Sequence, residues 1–117
     1  MSAIPDFTDT ETKLVHDTLR ERYGKNIETN LVDVELRIFP DDRELTDCPA
    51  HYWEHEDCHF ILAKTGDSEY FCQFFYGNRE QFGTGRERYD DLFTCITTLL
   101  QVQADHERDR KMKDEAL

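Results

Sequence analysis

Apolar positions recur with the period of a helix in residues 8–24, TDTETKLVHDTLRERYG. The stripe consists of Leu14, Val15, Leu19, Arg22 and Tyr23. Thr8 and Glu11 have the spacing of a capping box, in which the hydroxyl and carboxylate groups each accept a backbone N–H. Gly24 favours the left-handed conformation in which many helices end. The pattern therefore predicts a helix that begins just after Thr8 and ends at Gly24.

The hydrophobic period then changes to that of a strand. In residues 31–40, LVDVELRIFP, apolar and charged side chains alternate, and Pro40 removes an amide donor and ends the strand. Residues 58–64 and 69–77 are rich in β-branched and aromatic residues and are joined by the turn sequence TGDS, which predicts a hairpin. Residues 51–55, HYWEH, extend the first hairpin strand backwards or form a short strand of their own.

A second helical pattern follows a loop that is rich in glycine. Thr84 and Glu87 again have capping-box spacing, so a helix is expected to start near Arg86. Its stripe is Tyr89, Leu92, Phe93, Ile96, Leu99, Leu100 and Gln103. Residues 105–117, DHERDRKMKDEAL, are charged on all sides, which predicts a helix that continues into solvent without contacting the core.

The order of these elements, α-β-β-β-α, predicts an α+β fold. We expect a three- to four-stranded antiparallel sheet with two helices packed on one face and a long charged C-terminal helix. Residues 1–104 are predicted to form a single domain, and residues 105–117 a charged helical tail exposed to solvent. The chain of 117 residues is long enough to bury a core without disulfides or metals.

The negative net charge of the chain limits which classes of macromolecule it is expected to bind. The net charge is −12, and residues 1–57 contain 15 acidic and 6 basic residues. The excess is sharpest from Asp41 to Asp57, and we expect an acidic loop over residues 41–50. Nucleic-acid binding depends on Lys and Arg displacing counterions from phosphates, so direct binding to nucleic acid is not expected. A basic protein is the natural complement.

The sequence lacks the features of exported proteins and of membrane proteins. No apolar run approaches the length of a membrane span, and the start, MSAIPDFTDTET, lacks the basic and apolar regions of a signal peptide. We therefore expect a cytoplasmic protein that does not contact membranes. In that reducing compartment the four cysteines are expected to remain free.

The predicted hairpin is apolar on both sides. Two helices cover one face of a sheet, so the other face should leave several aromatic side chains near water, and such patches mark partner surfaces. This face is interpreted as a homodimer or docking surface; the alternative is a central hairpin enclosed between the helices and the loop over residues 40–55. The candidate partner-binding residues are Phe60, Leu62, Phe71 and Phe75 on the sheet and Asp41, Asp42, Glu44 and Asp47 in the acidic segment.

A cluster of metal-ligand side chains lies in residues 47–60, DCPAHYWEHEDCHF. The candidate ligands are Cys48, His51, His55, Cys58 and His59, and thiolate plus imidazole is the set that zinc prefers. Neither a regular helix nor a strand brings all five to one ion. A metal site therefore needs an irregular loop, or a distant ligand such as Cys72 or Cys95. The alternative is a strand whose aromatic residues and cysteines pack in the core.

The sequence GTGR, residues 83–86, suggests an anion site. Backbone N–H groups at a helix start, with arginines close by, bind phosphate or carboxylate groups. The candidate residues are Arg79, Gly83, Gly85 and Arg86. The alternative is a plain turn followed by a helix cap.

No arrangement typical of a catalytic nucleophile is present, so we lean against an enzyme. The expected function is a small acidic protein-binding or regulatory domain, such as an inhibitor or adaptor, that engages a basic partner and uses its aromatic sheet face for docking or self-association. The alternative is a metal-binding protein, with or without enzymatic activity, that uses residues 48–59. Zinc is the one cofactor that the sequence suggests.

Overall fold

The computed structural model describes residues 4–37, 43–76, 81–86 and 88–115. Their elements are α1 (Asp9–Tyr23), β1 (Asn30–Leu36), β2 (Thr46–His55), β3 (Cys58–Gly66), β4 (Glu69–Phe75), β5 (Gln81–Phe82) and α2 (Leu92–Glu115). The α+β class is confirmed. The sheet has five strands instead of three to four, because HYWEH belongs to a long strand of its own and a two-residue strand follows β4.

The sheet is an antiparallel meander in the order β1-β2-β3-β4-β5. β2 begins at Thr46, so the prediction of a loop over residues 41–50 is wrong for its second half. Pro49 is tolerated there because β2 pairs with β3 only as far as Ala50, while its pairing with β1 continues through Pro49 to Thr46. Ile38, Pro40 and the end of the predicted first strand lie outside the described residues.

Helix α1 has the predicted ends. The Thr8 hydroxyl accepts the Glu11 amide at 3.1 Å, and the Thr8 amide donates to the Glu11 carboxylate at 2.8 Å. Gly24 adopts the left-handed conformation with φ 72°, and its amide donates to the Arg20 carbonyl at 2.8 Å. Local signals therefore fix both ends of this helix.

Helix α2 starts six residues later than predicted, at Leu92. The Asp91 carboxylate accepts both the amide and the hydroxyl of Thr94 at 2.8 Å, which caps the helix. Tyr89 is not part of the helix. Its amide and carbonyl exchange two 2.8 Å hydrogen bonds with Tyr70, so it pairs with the start of β4. Glu87, the second half of the predicted capping box, lies outside the described residues.

One large cluster forms the core between the helices and the sheet. It joins α1, α2 and strands β2 to β4. Its fully buried side chains include Val15, Leu19, Trp53, Phe60, Leu62, Cys72, Phe74, Cys95, Ile96 and Leu99. We call the side of the sheet that carries Trp53, Phe60 and Phe74 the helical face, and the opposite side the second face.

The segment predicted to be an exposed tail contacts the sheet. Helix α2 is continuous from Leu92 to Glu115, without a break after Ala104. The His106 ring lies 4.2 Å from the Phe82 ring and stacks on Tyr76 at 5.4 Å. The Arg110 guanidinium group lies 4.0 Å from the Tyr76 ring centroid. His106 and Arg110 therefore hold the helix against the end of the sheet.

All four cysteines are free and buried. Burial raises the pKa of the Cys58 thiol to about 12 and also raises the pKa of Cys48. Among the described helices, none is long and apolar enough to cross a lipid bilayer.

Candidate docking surface

The second face carries apolar side chains from four neighbouring strands. Residues that are directly paired in an antiparallel sheet point to the same side, so the strand register assigns each residue to a face. The second face consists of Val32, Val34 and Leu36 on β1, Cys48, Ala50 and Tyr52 on β2, His59, Ile61 and Ala63 on β3, and Phe71, Gln73 and Phe75 on β4. Val32, Val34 and Leu36 thus point away from the helices, whereas Leu31, which is paired with His51, points to the helical face.

The centre of the second face is a small cluster separate from the main core. Cys48, Ala50 and Ala63 are fully buried there. The partly buried residues that pack against them are Ile4, Val34, Leu36 and Ile61. In the part of the chain that the structure describes, no helix residue belongs to this cluster. The face is therefore apolar without being covered by α1 or α2, but Ile4 packs on its buried centre. The apolar side chains of this face that still reach water are Val32, Val34, Leu36, Ile61, Phe71 and Phe75.

An aromatic row crosses one end of the second face. The His59 ring stacks on Phe75 at 4.9 Å and faces Tyr52 at 6.0 Å. The Tyr52 hydroxyl contacts both the His59 Nδ1 atom at 2.6 Å and the Glu54 carboxylate, and Glu54 lies 3.2 Å from the His59 ring. Burial and the neighbouring Glu54 carboxylate raise the pKa of Tyr52 to about 12. The row combines three stacked aromatic rings, of which only Phe75 is apolar, with one carboxylate at its rim.

The structure separates the four predicted sheet residues into two pairs. Phe71 and Phe75 are half-buried on the second face. Phe60 and Leu62 point to the helical face, paired with Phe74 and Cys72, and both are 0% exposed. Placing Phe60 and Leu62 on a partner surface is therefore wrong, because the helices already cover them.

Part of the predicted acidic surface lies on the sheet. Glu44 and Asp47 are exposed, whereas Asp41 and Asp42 lie outside the described residues. Asp47 is directly opposite Glu35 of β1, and both point to the helical face beyond the cover of the helices. Like charges that face each other across strands are destabilising.

The five candidate metal ligands are not brought together. The register sends Cys48 and His59 to the second face and His51, His55 and Cys58 to the helical face. His55 and Cys58 are paired, but His55 stacks on Tyr23 at 4.0 Å. No group of three His, Cys, Asp or Glu side chains suited to a metal ion occurs among the described residues. The regular strand geometry thus disfavours the zinc interpretation.

The predicted anion site also lacks its main element. Gly83, Gly85 and Arg86 are exposed and precede α2 by several residues, so no helix N-terminus lies at GTGR. The Arg86 guanidinium group lies 4.5 Å from the Tyr89 ring centroid. Arg79 lies outside the described residues. These contacts fit a turn better than an anion pocket.

A buried ion pair that the sequence analysis missed anchors α1 to the sheet. The Lys64 ammonium group, with its side chain 3% exposed, donates to the Glu11 carboxylate at 2.7 Å and to the Asp6 carbonyl at 3.2 Å. The Tyr70 hydroxyl donates to the other Glu11 oxygen. Burial alone would raise the pKa of Glu11, but hydrogen bonds from Lys64, the Thr8 amide and Tyr70 outweigh it and lower the pKa. The sequence does contain one indication of this ion pair, because Lys64 ends the largely apolar segment CHFILAK, where a charged side chain needs a partner.

A buried histidine lies beside this ion pair. His51 is 0% exposed, and its Nδ1 atom lies 3.1 Å from the Thr29 hydroxyl, which also contacts His16 at 2.9 Å. The Phe7 ring packs edge-on against His51 at 4.5 Å. Burial, with a smaller effect of His16, lowers the pKa of His51 from 6.5 to about 4, and Glu11 opposes this only in part. These contacts connect α1, the segment before β1 and β2.

The features of this chain that bear on its function are the apolar second face, the exposed carboxylates beside it and the burial of the candidate metal ligands Cys48, His51 and Cys58. In comparisons of the chain with models of protein families, with curated proteins and with solved structures, nothing matches.

Proposed function

We propose that this chain is a small acidic protein-binding domain whose second face docks on a partner protein. The observation that carries the proposal is the set of apolar and aromatic side chains that four strands place on one side of the sheet, away from both helices. Apolar surface of this kind is lost from water when a partner covers it, and that burial favours association.

The charge of the chain supports a basic partner. The net charge is −12, and exposed carboxylates lie next to the second face, including Glu54 at the end of the aromatic row. Opposite charges at the rim of an interface accelerate encounter and exclude wrong partners. The domain then acts as an inhibitor or adaptor that occupies a basic protein. Four free thiols fit a reducing, cytoplasmic setting for this role.

The test compares two aromatic side chains that are matched in type but lie on different surfaces. Phe71 is on the second face, and Phe93 is on the outer side of α2, where it is 55% exposed. Phe71→Ser, Phe93→Ser and the wild type are each used as bait in native extracts, and the recovered proteins are quantified by mass spectrometry. Urea unfolding verifies that each bait is folded.

We expect a basic protein that is recovered with the wild type and Phe93→Ser but about tenfold less with Phe71→Ser, because central aromatic residues dominate interface energies. Recovery that is equal for the two variants would contradict the proposed face. Light scattering distinguishes self-association: a wild-type dimer that Phe71→Ser converts to a monomer would show that the second face binds another copy of the chain instead.

A further inference from the structure

Strand β1 is an edge strand of the sheet that the described residues form. It pairs with β2 on one side, and among the described residues no strand pairs with its other side. Leu31 and Val32 are 67% and 38% exposed, and the register with β2 runs from Asn30 to Leu36 without a bulge. Of the features that protect edge strands from pairing, this strand has two charged side chains, Asp33 and Glu35, but no proline, lysine or bulge. The edge therefore suits the addition of an extended segment.

The two sides of β1 have opposite chemistry. Val32, Val34 and Leu36 point to the second face, whereas Asp33 and Glu35 point to the helical face. Both carboxylates are exposed, and neither forms an ion pair with another described residue. The next strand adds Asp47 opposite Glu35. An added strand would thus meet Asp33, Glu35 and the exposed Leu31 on one side, and only apolar side chains of β1, Val32, Val34 and Leu36, on the other.

We propose that β1 binds an extended segment of the partner in which basic and apolar residues alternate. This inference rests on the proposed protein-binding function and specifies the chemistry of the partner. Directly paired residues of neighbouring strands point to the same side. Lys or Arg residues of the segment therefore lie next to Asp33 and Glu35, and its apolar residues extend the second face beside Val32 and Val34.

A cleft beside β1 accommodates one of the basic side chains. Its volume is about 420 Å³, and it lies between the segment before α1 and the edge of the sheet. Asp6 and Asp33 supply carboxylates, while Phe7, Leu31 and Pro49 supply apolar walls. A lysine or arginine packs its aliphatic stem against such walls and keeps its charged end near the carboxylates and water. The cleft thus favours a cation on the helical face of the added strand.

A second copy of the chain is a poor occupant of the same edge. Antiparallel pairing of two β1 strands aligns the helical faces of both copies, so Asp33 and Glu35 of both copies lie on the same side of the joined sheet, and with full overlap of the strands Asp33 lies opposite Asp33 of the other copy. Like charges in direct cross-strand pairs are destabilising. The complementary charge of a basic segment removes this repulsion.

The test uses a capped peptide in which lysine alternates with valine, and its binding is measured by calorimetry and by amide chemical-shift changes. Three control peptides change one property each: the lysines are grouped, the lysines are replaced by glutamates, or the amides that face β1 are methylated. Asp33→Lys/Glu35→Lys reverses the charge of the edge. Glu21→Lys/Asp109→Lys makes the same change in net charge at exposed helix positions.

We expect shift changes centred on β1, and binding at least about tenfold weaker for each control peptide. The Asp33→Lys/Glu35→Lys variant should no longer bind the lysine peptide and should bind the glutamate peptide instead. The affinity of the Glu21→Lys/Asp109→Lys variant for the lysine peptide should decrease by less than about threefold. Equal binding of the lysine and grouped peptides, shift changes away from β1, or equal losses in the two double variants would overturn the inference.

The edge and the second face are tested separately. Phe71→Ser leaves β1 unchanged and should retain the peptide. One outcome is that the peptide binds at β1 but no protein is recovered from extracts in a way that depends on Phe71. That outcome would contradict the proposed function and still support the binding site at the edge of β1. If binding of a partner protein requires Phe71 but does not require Asp33 and Glu35, the proposed function is supported and the binding site at β1 is contradicted.

Discussion

His51 should make the stability of this protein sensitive to mild acid. The ring is 0% exposed, and its pKa is lowered from 6.5 to about 4, chiefly by burial. The unfolded chain therefore binds a proton at a higher pH than the folded chain does. The free energy of unfolding is unaffected above pH 6.5 and decreases as the pH falls towards 4. The full loss is about 3 kcal/mol, of which about 2 kcal/mol is reached at pH 5.

The assay is urea unfolding at pH values from 5 to 7.5, followed by the fluorescence of Trp53, the single and buried tryptophan. The pH range isolates His51 from Glu11, because the lowered pKa of Glu11 places its contribution below 4.5. His51→Phe keeps an aromatic ring of similar size but cannot bind the proton. It should remove most of the loss of stability between pH 7.5 and pH 5.

His59→Phe is the matched control, because it removes a half-buried histidine from the second face. This variant should keep the dependence on pH that the wild type shows. An identical decrease for His51→Phe and the wild type would refute the reasoning, since the acid sensitivity would then arise from other groups. A wild type whose stability does not change over this pH range would refute it as well.

Three further substitutions test the contacts that fix the helices. Lys64→Met should lower the free energy of unfolding in urea by about 2 kcal/mol, because it leaves the Glu11 carboxylate, whose side chain is 15% exposed, without its cation. Adding Glu11→Gln should recover part of the loss, and no recovery would contradict the ion pair. Asp91→Ala should lower the urea midpoint in the same assay through loss of the α2 cap, whereas Asp90→Ala, its exposed neighbour, should lower it much less. Gly24→Ala should lower stability by about 1 kcal/mol because its φ of 72° is left-handed; an unchanged midpoint would refute this.

Sequence alone was sufficient where the determining contacts are local. Thr8, Glu11 and Gly24 define α1 because each of their contacts lies within one helical turn. The start of α2 could not be found in this way. Thr84 and Glu87 have the spacing of a capping box, but Tyr89 is held in an extended conformation by a strand that is distant in sequence. A long-range pairing thus overrides a local signal.

The candidate sites also depend on contacts between residues that are far apart in the chain, which the sequence does not reveal. Alternation separates Phe71 from Cys72, but because both sides of the hairpin are apolar, it does not tell which side the helices cover. Phe60 and Leu62 were therefore placed on the wrong face. The ion pair between Lys64 and Glu11 was missed because its partners are far apart in the chain and only the packing of α1 on the sheet brings them together.

The burial of all four cysteines makes each thiol a reporter of structural opening. An alkylating reagent reaches a buried sulfur only when the surrounding element detaches, so the modification rate measures the free energy of that opening. Cys48 monitors the small cluster on the second face, and Cys95 monitors the packing of α2. Pulse alkylation followed by peptide mapping would therefore show which layer of the fold opens first, without introducing a label.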